Sequence, residues 1–492
     1  MKTVYRTATA LAASCLVLAG CASYSGIAPE ISTLDASHLQ GNPAPVAYAD
    51  WPKEAWWQDL QDPVLTALIE QALADSPSLQ AASARLARAR GLTGVAESAL
   101  GIHADASLSS TRERFSEHGL YPPPYAGTTQ TINELQLSGS WELDFFGKNR
   151  ETLKAALGEL QATEAEHQAA RMMLATDVAR SYYKLAQLLA QRQVTEQRSR
   201  QRAELATLAE RRFKAGLDTQ VEVESAKGAL PENARDLASI DEQIGLARHA
   251  LAALAGKGPE AFNDLAPTLP AITPLALPES LPANLLGHRA DITASRLRVE
   301  SALHGLDASR AQFYPNVNLR AFTGYSIIGT ENWFDAGNRQ PGIGIAISLP
   351  LFDAGRLRSM YRVSAALVDN AVATYNSTLL DALRDVADQL TSLQSLDVQL
   401  TKQKAALASA ERSHDLALQR YRAGISDRLT ELNAETNLIV QRRSMVDLQA
   451  RWIDGRLRLI RALGGGFSDG SATVAPAAAA TPAPLNASAS HS

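Results

Sequence analysis

The chain has 492 residues, of which 20% are charged and 46% hydrophobic, and its formal net charge at pH 7 is −5. This acidic balance argues against nucleic acid as a partner. The two cysteines are Cys15 and Cys21. Because Cys15 falls in a predicted signal peptide, the mature chain is expected to contain no disulfide and no cysteine metal site.

Residues 1–20 are typical of a secretory signal peptide. Lys2 and Arg6 precede an apolar run that is too short to cross a bilayer as a helix. The run ends in LAGC, a pattern that resembles the lipobox of bacterial lipoproteins, in which the cysteine thiol is diacylated. The resemblance implies that Cys21 carries the lipid. A plain secretory signal with an incidental cysteine is the alternative.

Two patterns in the first half of the chain recur in the second half. WELDFFGKNR recurs as ISLPLFDAGRLR, and RRFKAGLDT recurs as QRYRAGISD. Phe146 and Phe352 occupy matching positions 206 residues apart, and Gly216 and Gly424 are 208 residues apart. So constant an offset indicates a duplicated structural unit.

We therefore predict two structural repeats, at 62–257 and 285–466. Residues 21–61 are expected to form an extended N-terminal segment. The intervening residues 258–284 contain six prolines and are expected to form an extended linker. Residues 467–492 are rich in alanine, proline and serine without an apolar pattern, which predicts a disordered tail.

Each repeat is predicted to contain two β-strands preceded by a helix. The strands are expected at about 103–112 and 133–143, and at about 316–326 and 342–350. Apolar and polar residues alternate, most clearly in LQLSGSWEL, so that each strand has one apolar face. About ten residues is the length that a membrane-spanning β-strand needs.

Two long helices follow the strands in each repeat, at 149–213 and 217–256, and at 357–422 and 425–463. The first helix of each pair lacks proline over about 65 residues, which corresponds to roughly 100 Å of helix. Apolar residues spaced by three and four predict a seam packed against neighbouring helices. The seam residues are Leu174, Val178, Tyr182, Leu185 and Leu189, then Leu379, Leu383, Val386, Leu390, Leu393, Leu396 and Leu400.

Four strands cannot close a β-barrel alone. An open sheet edge in lipid leaves backbone groups unpaired at a cost of several kcal/mol each, so strands that enter a membrane must be shared among chains. We therefore expect a mixed α/β membrane protein that assembles as a homo-oligomeric tube. Four transmembrane β-strands per chain would lie above long periplasmic helices.

Together these features resemble the TolC-like outer-membrane efflux proteins, in the lipoprotein branch that serves tripartite drug pumps. The resemblance covers about 57–466 and is carried by WWQDLQDPVLTALIEQAL, SPSLQAASARL, WELDFFGKNR, RRFKAGLDTQVEV, FYPNVNLRAFTGYS, SLPLFDAGR and QRYRAGISDRLTELNAE. It implies a homotrimer in the outer membrane, with a 12-stranded β-barrel and a helical tunnel that extends into the periplasm. It also implies two partners: a periplasmic adaptor protein and an inner-membrane pump of the resistance-nodulation or major-facilitator type.

By the same resemblance, KAGLDT and RAGISD form the periplasmic tips of the tunnel. Gly216 and Gly424 also suit left-handed helix C-caps whatever the function. The resemblance gives Tyr421 a gating role and assigns the constriction to Leu429 and Asn433. Many relatives carry aspartate in place of Asn433, so an acidic ring and the cation preference it confers are left open.

Four acidic residues beside the tips could supply negative charge in place of an aspartate at position 433: Asp218, Glu222, Asp427 and Glu431. They are either gate charges or first-turn acids stabilised by the helix dipole, and the sequence leaves both interpretations open.

The expected function is passive conduction of drugs or other toxic small amphiphiles from the periplasm to the exterior. GLYPPPYAGT, from Gly119, resembles relatives that export aromatic or amphiphilic compounds, although an exposed loop accounts for the same residues. An outer-membrane duct of a type I protein or polysaccharide secretion system is an alternative with the same fold. A structural coiled-coil lipoprotein is a more remote alternative.

The enzyme interpretation rests on two Glu-x-x-His pairs, Glu164–His167 and Glu411–His414, which have the spacing found in di-iron bundles. The internal repeat aligns Glu411 with about Ala203 rather than with Glu164, so the pairs are not equivalent. Surface pairs are the simpler explanation. We therefore expect no enzymatic activity, no metal and no cofactor.

Overall fold

The computed structural model describes residues 23–34, 52–272 and 288–467. The predictions for the signal peptide, for Cys21 and for residues 468–492 lie outside these residues. So do parts of the predicted N-terminal segment and of the linker.

Long helices and four strands make up the described residues. In chain order they are α1 (Pro63–Asp75), α2 (Pro77–Ser98), β1 (His103–Arg114), β2 (Thr129–Leu143), α3 (Lys148–Lys214), α4 (Gln220–Leu254), α5 (Ala290–Ala311), β3 (Asn316–Ile328), β4 (Gly342–Ser348), α6 (Arg356–Arg422) and α7 (Arg428–Ala462). Short 3₁₀ helices occupy Trp56–Leu60 and Ala336–Asn338. One order occurs twice: a 22-residue helix, two strands, a 67-residue helix and a 35-residue helix. Across the described ranges, no helix combines the length and the apolar character needed to span a bilayer.

The described residues pack as two units. The sheet unit lies within Met1–Leu34, Ser83–Ala165 and Ala294–Thr378. The tip unit lies within Asp35–Ala82, Glu166–Thr293 and Leu379–Ser492.

The sheet unit contains one antiparallel sheet with the strand order β1-β2-β3-β4. The hairpins β1–β2 and β3–β4 are local pairings. The pairing of β2 with β3, from Ile132↔Ile328 to Leu143↔Val317, joins the two hairpins. In the described part of the chain, β1 pairs only with β2 and β4 only with β3, so the sheet has two free edges.

One face of this sheet is apolar and exposed. Cross-strand partners lie on the same face, and the register aligns Ile345 with Leu319 and Leu319 with Trp141. Ile343 and Ile345 are 78% and 68% exposed. The opposite face is mainly polar and includes Ser107, Gln136, Ser138, Ser140, Asn318 and Arg320. Such alternation is typical of a strand with lipid on one side and water on the other.

The N-terminal strap (residues 23–34) packs along α6 in the sheet unit. Asp369 accepts two backbone N–H groups of the strap at 2.8 Å each. The Asn376 side chain accepts a hydrogen bond from Leu34 N–H at 2.8 Å and donates one to the Ser32 carbonyl at 3.0 Å. At its beginning, the ring of Tyr24 lies 5.4 Å from those of both Phe313 and Tyr361. The strap is therefore held at both of its ends.

Helix packing in the tip unit follows the predicted seams. Every member of the α6 seam from Leu379 to Leu400 is buried. In the α3 seam, Leu174, Val178 and Leu185 are buried, as is Tyr182, whereas Leu189 is half-buried. Removing these side chains from water is the main source of stability for such helices.

Candidate functional site

The two helical hairpins of the tip unit turn through the same backbone motif. At the end of α3, Leu217 N–H bonds to Arg212 C=O at 2.9 Å, and Gly216 N–H bonds to Phe213 C=O at 2.9 Å. At the end of α6, Ile425 N–H bonds to Arg420 C=O at 2.9 Å, and Gly424 N–H bonds to Tyr421 C=O at 3.0 Å. This pair of bonds is the Schellman motif, which satisfies carbonyls that a helix end leaves free.

Backbone conformation explains the glycines in both turns. The φ angles of Gly216 and Gly424 are +75° and +71°, in the left-handed region that residues with a Cβ avoid. A Cβ built at either position would meet no atom within 4 Å. The requirement for glycine is therefore conformational and does not come from crowding.

Local partners account for the acidic residues of the first turn. Thr219 and Glu222 form a reciprocal capping box at the start of α4, and hydrogen bonding from Thr219 lowers the pKa of Glu222. Asp218 accepts two hydrogen bonds from Arg212, at 2.7 and 3.1 Å, which lower its pKa. Both carboxylates stabilise the turn itself.

Asp427 and Arg428 organise the second turn. Asp427 caps α7 by accepting the Thr430 N–H at 2.8 Å. Arg428 pairs with Glu204 of α3 and, at 2.6 Å, with Glu431. The bond to Glu204 is the largest cause of a raised pKa at Arg428. Arg428 therefore connects the start of α7 to α3.

A buried carboxylate lies one turn into α7. Glu431 is 3% exposed, and its Oε1 is 3.3 Å from Nε2 of His414 on α6. Its Oε2 is 2.6 Å from Nη1 of Arg428, so the carboxylate contacts a different residue through each oxygen. Desolvation, and then the charge of Glu431, raise the pKa of the neighbouring Glu435. Glu435 is therefore close enough to Glu431 for their charges to interact.

The residues to which the family resemblance gives gating roles lie beside this cluster in the chain. Tyr421 is 39% exposed, and the Arg428 guanidinium lies over its ring with Cζ 5.3 Å from the ring centroid. Leu429 is half-buried and Asn433 is exposed. Their spacing of four residues puts them on one face of α7.

The sequence did not single out three of the residues that link the helices here, Glu204, Arg428 and Glu435, and it indicated His414 only as part of the Glu411–His414 pair. Arg428 follows a recognisable N-cap residue, and Glu431 and Glu435 have the spacing of neighbours on one helix face. Nothing in the sequence indicates that His414 and Glu204 face them.

The turns also expose apolar side chains. Leu217 and Ile425, which occupy equivalent positions after the two glycines, are 66% and 70% exposed. Val221, in the first turn of α4, is 73% exposed. Both turns therefore present apolar side chains to solvent at equivalent positions.

The structure does not assemble the two Glu-x-x-His pairs into a metal site. In the ranges that the structure describes, one group of three potential metal ligands comes together, and it consists of His414, Glu431 and Glu435. Glu411 is not part of it. Glu164 pairs with Arg90 at 3.3 Å.

Comparison with protein families gives one match over most of the chain. The profile of the family described as "Outer membrane efflux protein" matches residues 68–257 and 281–465. The fusaric acid resistance protein FusA of Burkholderia cepacia is 36% identical over 359 residues, which cover 72% of this chain and 68% of FusA. The putative multidrug resistance outer membrane protein MdtQ of Shigella flexneri is 30% identical over 461 residues, which cover 92% of this chain and 96% of MdtQ.

Solved structures show the same similarity. The outer membrane protein VceC of Vibrio cholerae superposes with a TM-score of 0.78 at 39% identity, covering 85% of this chain and 100% of VceC. The outer-membrane channel OprN superposes with a TM-score of 0.78 at 26% identity, covering 90% and 97%.

Proposed function

The chain belongs to the outer membrane efflux protein family, and on that premise we propose that three copies form the passive exit duct of a tripartite efflux system. Each chain contributes four transmembrane strands to a 12-stranded β-barrel and its long helices to a periplasmic tunnel. The duct performs no chemistry of its own, and its partners supply the energy.

The observation that carries this proposal is the exposed apolar face of the sheet together with its two free edges. A face that includes Ile343, Ile345 and Ile347 is stable in lipid and unfavourable in water. In lipid, the free edges of β1 and β4 must find partners. Pairing β1 of one chain with β4 of the next satisfies both edges and closes a barrel.

A lipid at Cys21 anchors each chain beside the barrel. The strap supports this part of the proposal because it begins two residues after Cys21 and is bonded to α6. The carbonyl of Ser23 accepts a hydrogen bond from Arg358 at 2.9 Å, so the strap is held from its first described residue. An acyl chain at Cys21 would therefore lie two residues before a segment that is bonded to the sheet unit.

The turns at Gly216 and Gly424 form the periplasmic end that docks the adaptor protein. The exposed Leu217, Val221 and Ile425 support this assignment. Tyr421, Leu429 and Asn433 line the gate, and Arg428 holds it closed at rest. Opening follows engagement of the adaptor and of a pump of the resistance-nodulation or major-facilitator type.

The transported compounds are small toxic amphiphiles, including aromatic ones. Support comes from the similarity to a fusaric acid resistance protein and to a multidrug resistance protein.

The test is the drug susceptibility of a deletion strain complemented with the wild type, with Cys21→Ser and with Tyr421→Ala. Deletion is expected to raise sensitivity to amphiphilic compounds several-fold, and the wild type to restore resistance. Cys21→Ser separates anchoring from transport. Tyr421→Ala is expected to let large antibiotics leak through the duct. Unchanged susceptibility with lost export of a protein or polysaccharide would replace the drug-efflux assignment with secretion.

A further inference from the structure

A cluster of histidine and glutamate in the tip unit has a ligand set that the duct function does not use. We propose that His414, Glu431 and Glu435 form a binding site for one divalent transition-metal ion per chain, with Zn²⁺ the best-fitting cation. The site joins α6 to α7 close to their shared turn. This inference goes beyond the conduit function and does not depend on it.

The distances among the three side chains suit a metal ion. One ligand atom from each residue lies within 4.8 Å of the other two. His414 Nε2 and Glu431 Oε1 are 3.3 Å apart. Zinc bonds of about 2.0–2.2 Å in a tetrahedral site separate the ligand atoms by about 3.3–3.6 Å. The observed separation already falls at this value, and Glu435 needs only a small side-chain movement.

The arrangement of the helices supports the same ligand set. Glu431 and Glu435 are four residues apart and share one face of α7. His414 approaches from α6, two turns before that helix ends at Arg422. The three ligands thus come from two helices joined by a five-residue turn, which limits the entropy lost when the site closes.

The charges of the cluster also favour a cation. Glu204 and Glu431 both pair with one guanidinium, that of Arg428. Two carboxylates thus share one positive charge, and a divalent cation held by His414, Glu431 and Glu435 would balance the remaining negative charge. Glu431 is 3% exposed, its Oε2 contacts Arg428 at 2.6 Å, and its Oε1 faces His414 at 3.3 Å. A cation bound at Oε1 would add to the stabilisation that Arg428 gives this buried carboxylate at Oε2.

Arg428 orients the site without competing for it. It contacts Oε2 of Glu431, whereas Oε1 faces His414. A ligating carboxylate is commonly held by a neighbouring polar group through its other oxygen. One imidazole nitrogen and two carboxylates are a set that favours Zn²⁺ over Ca²⁺ or Mg²⁺, which prefer oxygen ligands alone. The fourth position is left for water.

The test is Zn²⁺ titration of the purified full-length protein after chelation, by calorimetry and by elemental analysis. We expect one Zn²⁺ per chain, with binding at least tenfold weaker in His414→Gln and in Glu435→Gln. His304→Gln is the matched control, because His304 pairs with a single carboxylate, that of Glu151 at 2.7 Å; its Zn²⁺ binding should equal that of the wild type.

X-ray absorption of the zinc-loaded wild type keeps the test decisive if a variant misfolds. The expected spectrum has one imidazole nitrogen and oxygen ligands at about 2.0–2.2 Å. The proposal is overturned by the lack of stoichiometric binding, by equal binding in folded His414→Gln, or by displacement of Zn²⁺ by equimolar Ca²⁺. None of these results depends on whether the duct conducts drugs.

Discussion

The guanidinium of Arg428 lies over the ring of Tyr421, with its Cζ 5.3 Å from the ring centroid. Tyr421 lies in the last turn of α6 and Arg428 begins α7, so the stacking bridges the turn between these helices. The same guanidinium pairs with Glu204 on α3. One cation therefore connects three helices next to the residues assigned to the gate.

Arg428→Met removes this connection while keeping much of the side-chain volume. Glu431 then stays buried without its ion-pair partner, a loss that costs about 3–5 kcal/mol in comparable sites. We expect a lower melting temperature and a several-fold rise in sensitivity to large antibiotics. Arg443→Met, at an exposed position of α7, is the control. Leak and stability equal to those of the control would contradict the role of Arg428.

Gly424→Ala tests whether the turn depends on its left-handed backbone. Alanine at a φ of +71° costs about 1–2 kcal/mol. The added methyl group would meet no atom within 4 Å, so it would neither clash nor gain a stabilising contact. Thermal unfolding should therefore begin at a lower temperature. Gly228→Ala, in the interior of α4 with equally open surroundings, should instead stabilise the helix by about 0.5–1 kcal/mol. A neutral Gly424→Ala would show that the Schellman turn is dispensable.

Acid is expected to loosen the second turn through Asp427. Hydrogen bonding from Thr430 lowers the pKa of Asp427, so its stabilising effect is complete above the ordinary value, near pH 4. The effect is lost as the pH falls from there through the lowered pKa. Hydrogen exchange across residues 428–432, corrected for the intrinsic rate, should accelerate in that range.

Asp427→Asn keeps a cap acceptor but removes the ionisable group. Its exchange should show no acid-dependent step between about pH 4 and pH 2. A step as large as that of the wild type would assign the acid sensitivity to another group.

Asp369→Ala should release the N-terminal strap. The carboxylate accepts both the Glu30 and Ile31 N–H groups, and alanine leaves them without this acceptor. Limited proteolysis within residues 23–34 is expected to become several-fold faster. Asp381→Ala is the control, because Asp381 is on α6 too but pairs with Arg384 within the same helix at 3.2 Å. Equal cleavage rates in the two variants would mean that Asp369 does not hold the strap.

Local patterns in the sequence account for much of the fold. The alternation in LQLSGSWEL falls in β2, and the glycines of KAGLDT and RAGISD fall at the left-handed turns. These signals are local because each arises from residues adjacent in the chain. The pairing of β2 with β3 is different, since it joins residues 174 to 196 positions apart and leaves no periodic trace in either strand.

The candidate site also combines local features, which the sequence indicates, with contacts between distant residues, which it does not. The caps formed by Glu222 and Asp427 belong to short motifs, so the interpretation of first-turn acids could be stated from sequence. The contact of Arg428 with Glu204 and the approach of His414 to Glu431 join separate helices. Helical periodicity gives the face on which each residue lies but not the residue that faces it from another helix.

Single-channel recording of the purified protein in planar bilayers measures conduction without any partner. We predict discrete openings of uniform size, rare in the wild type and larger or more frequent in Arg428→Met. Folded protein that inserts into the bilayer but gives no discrete conductance in either form would contradict the assignment as a duct.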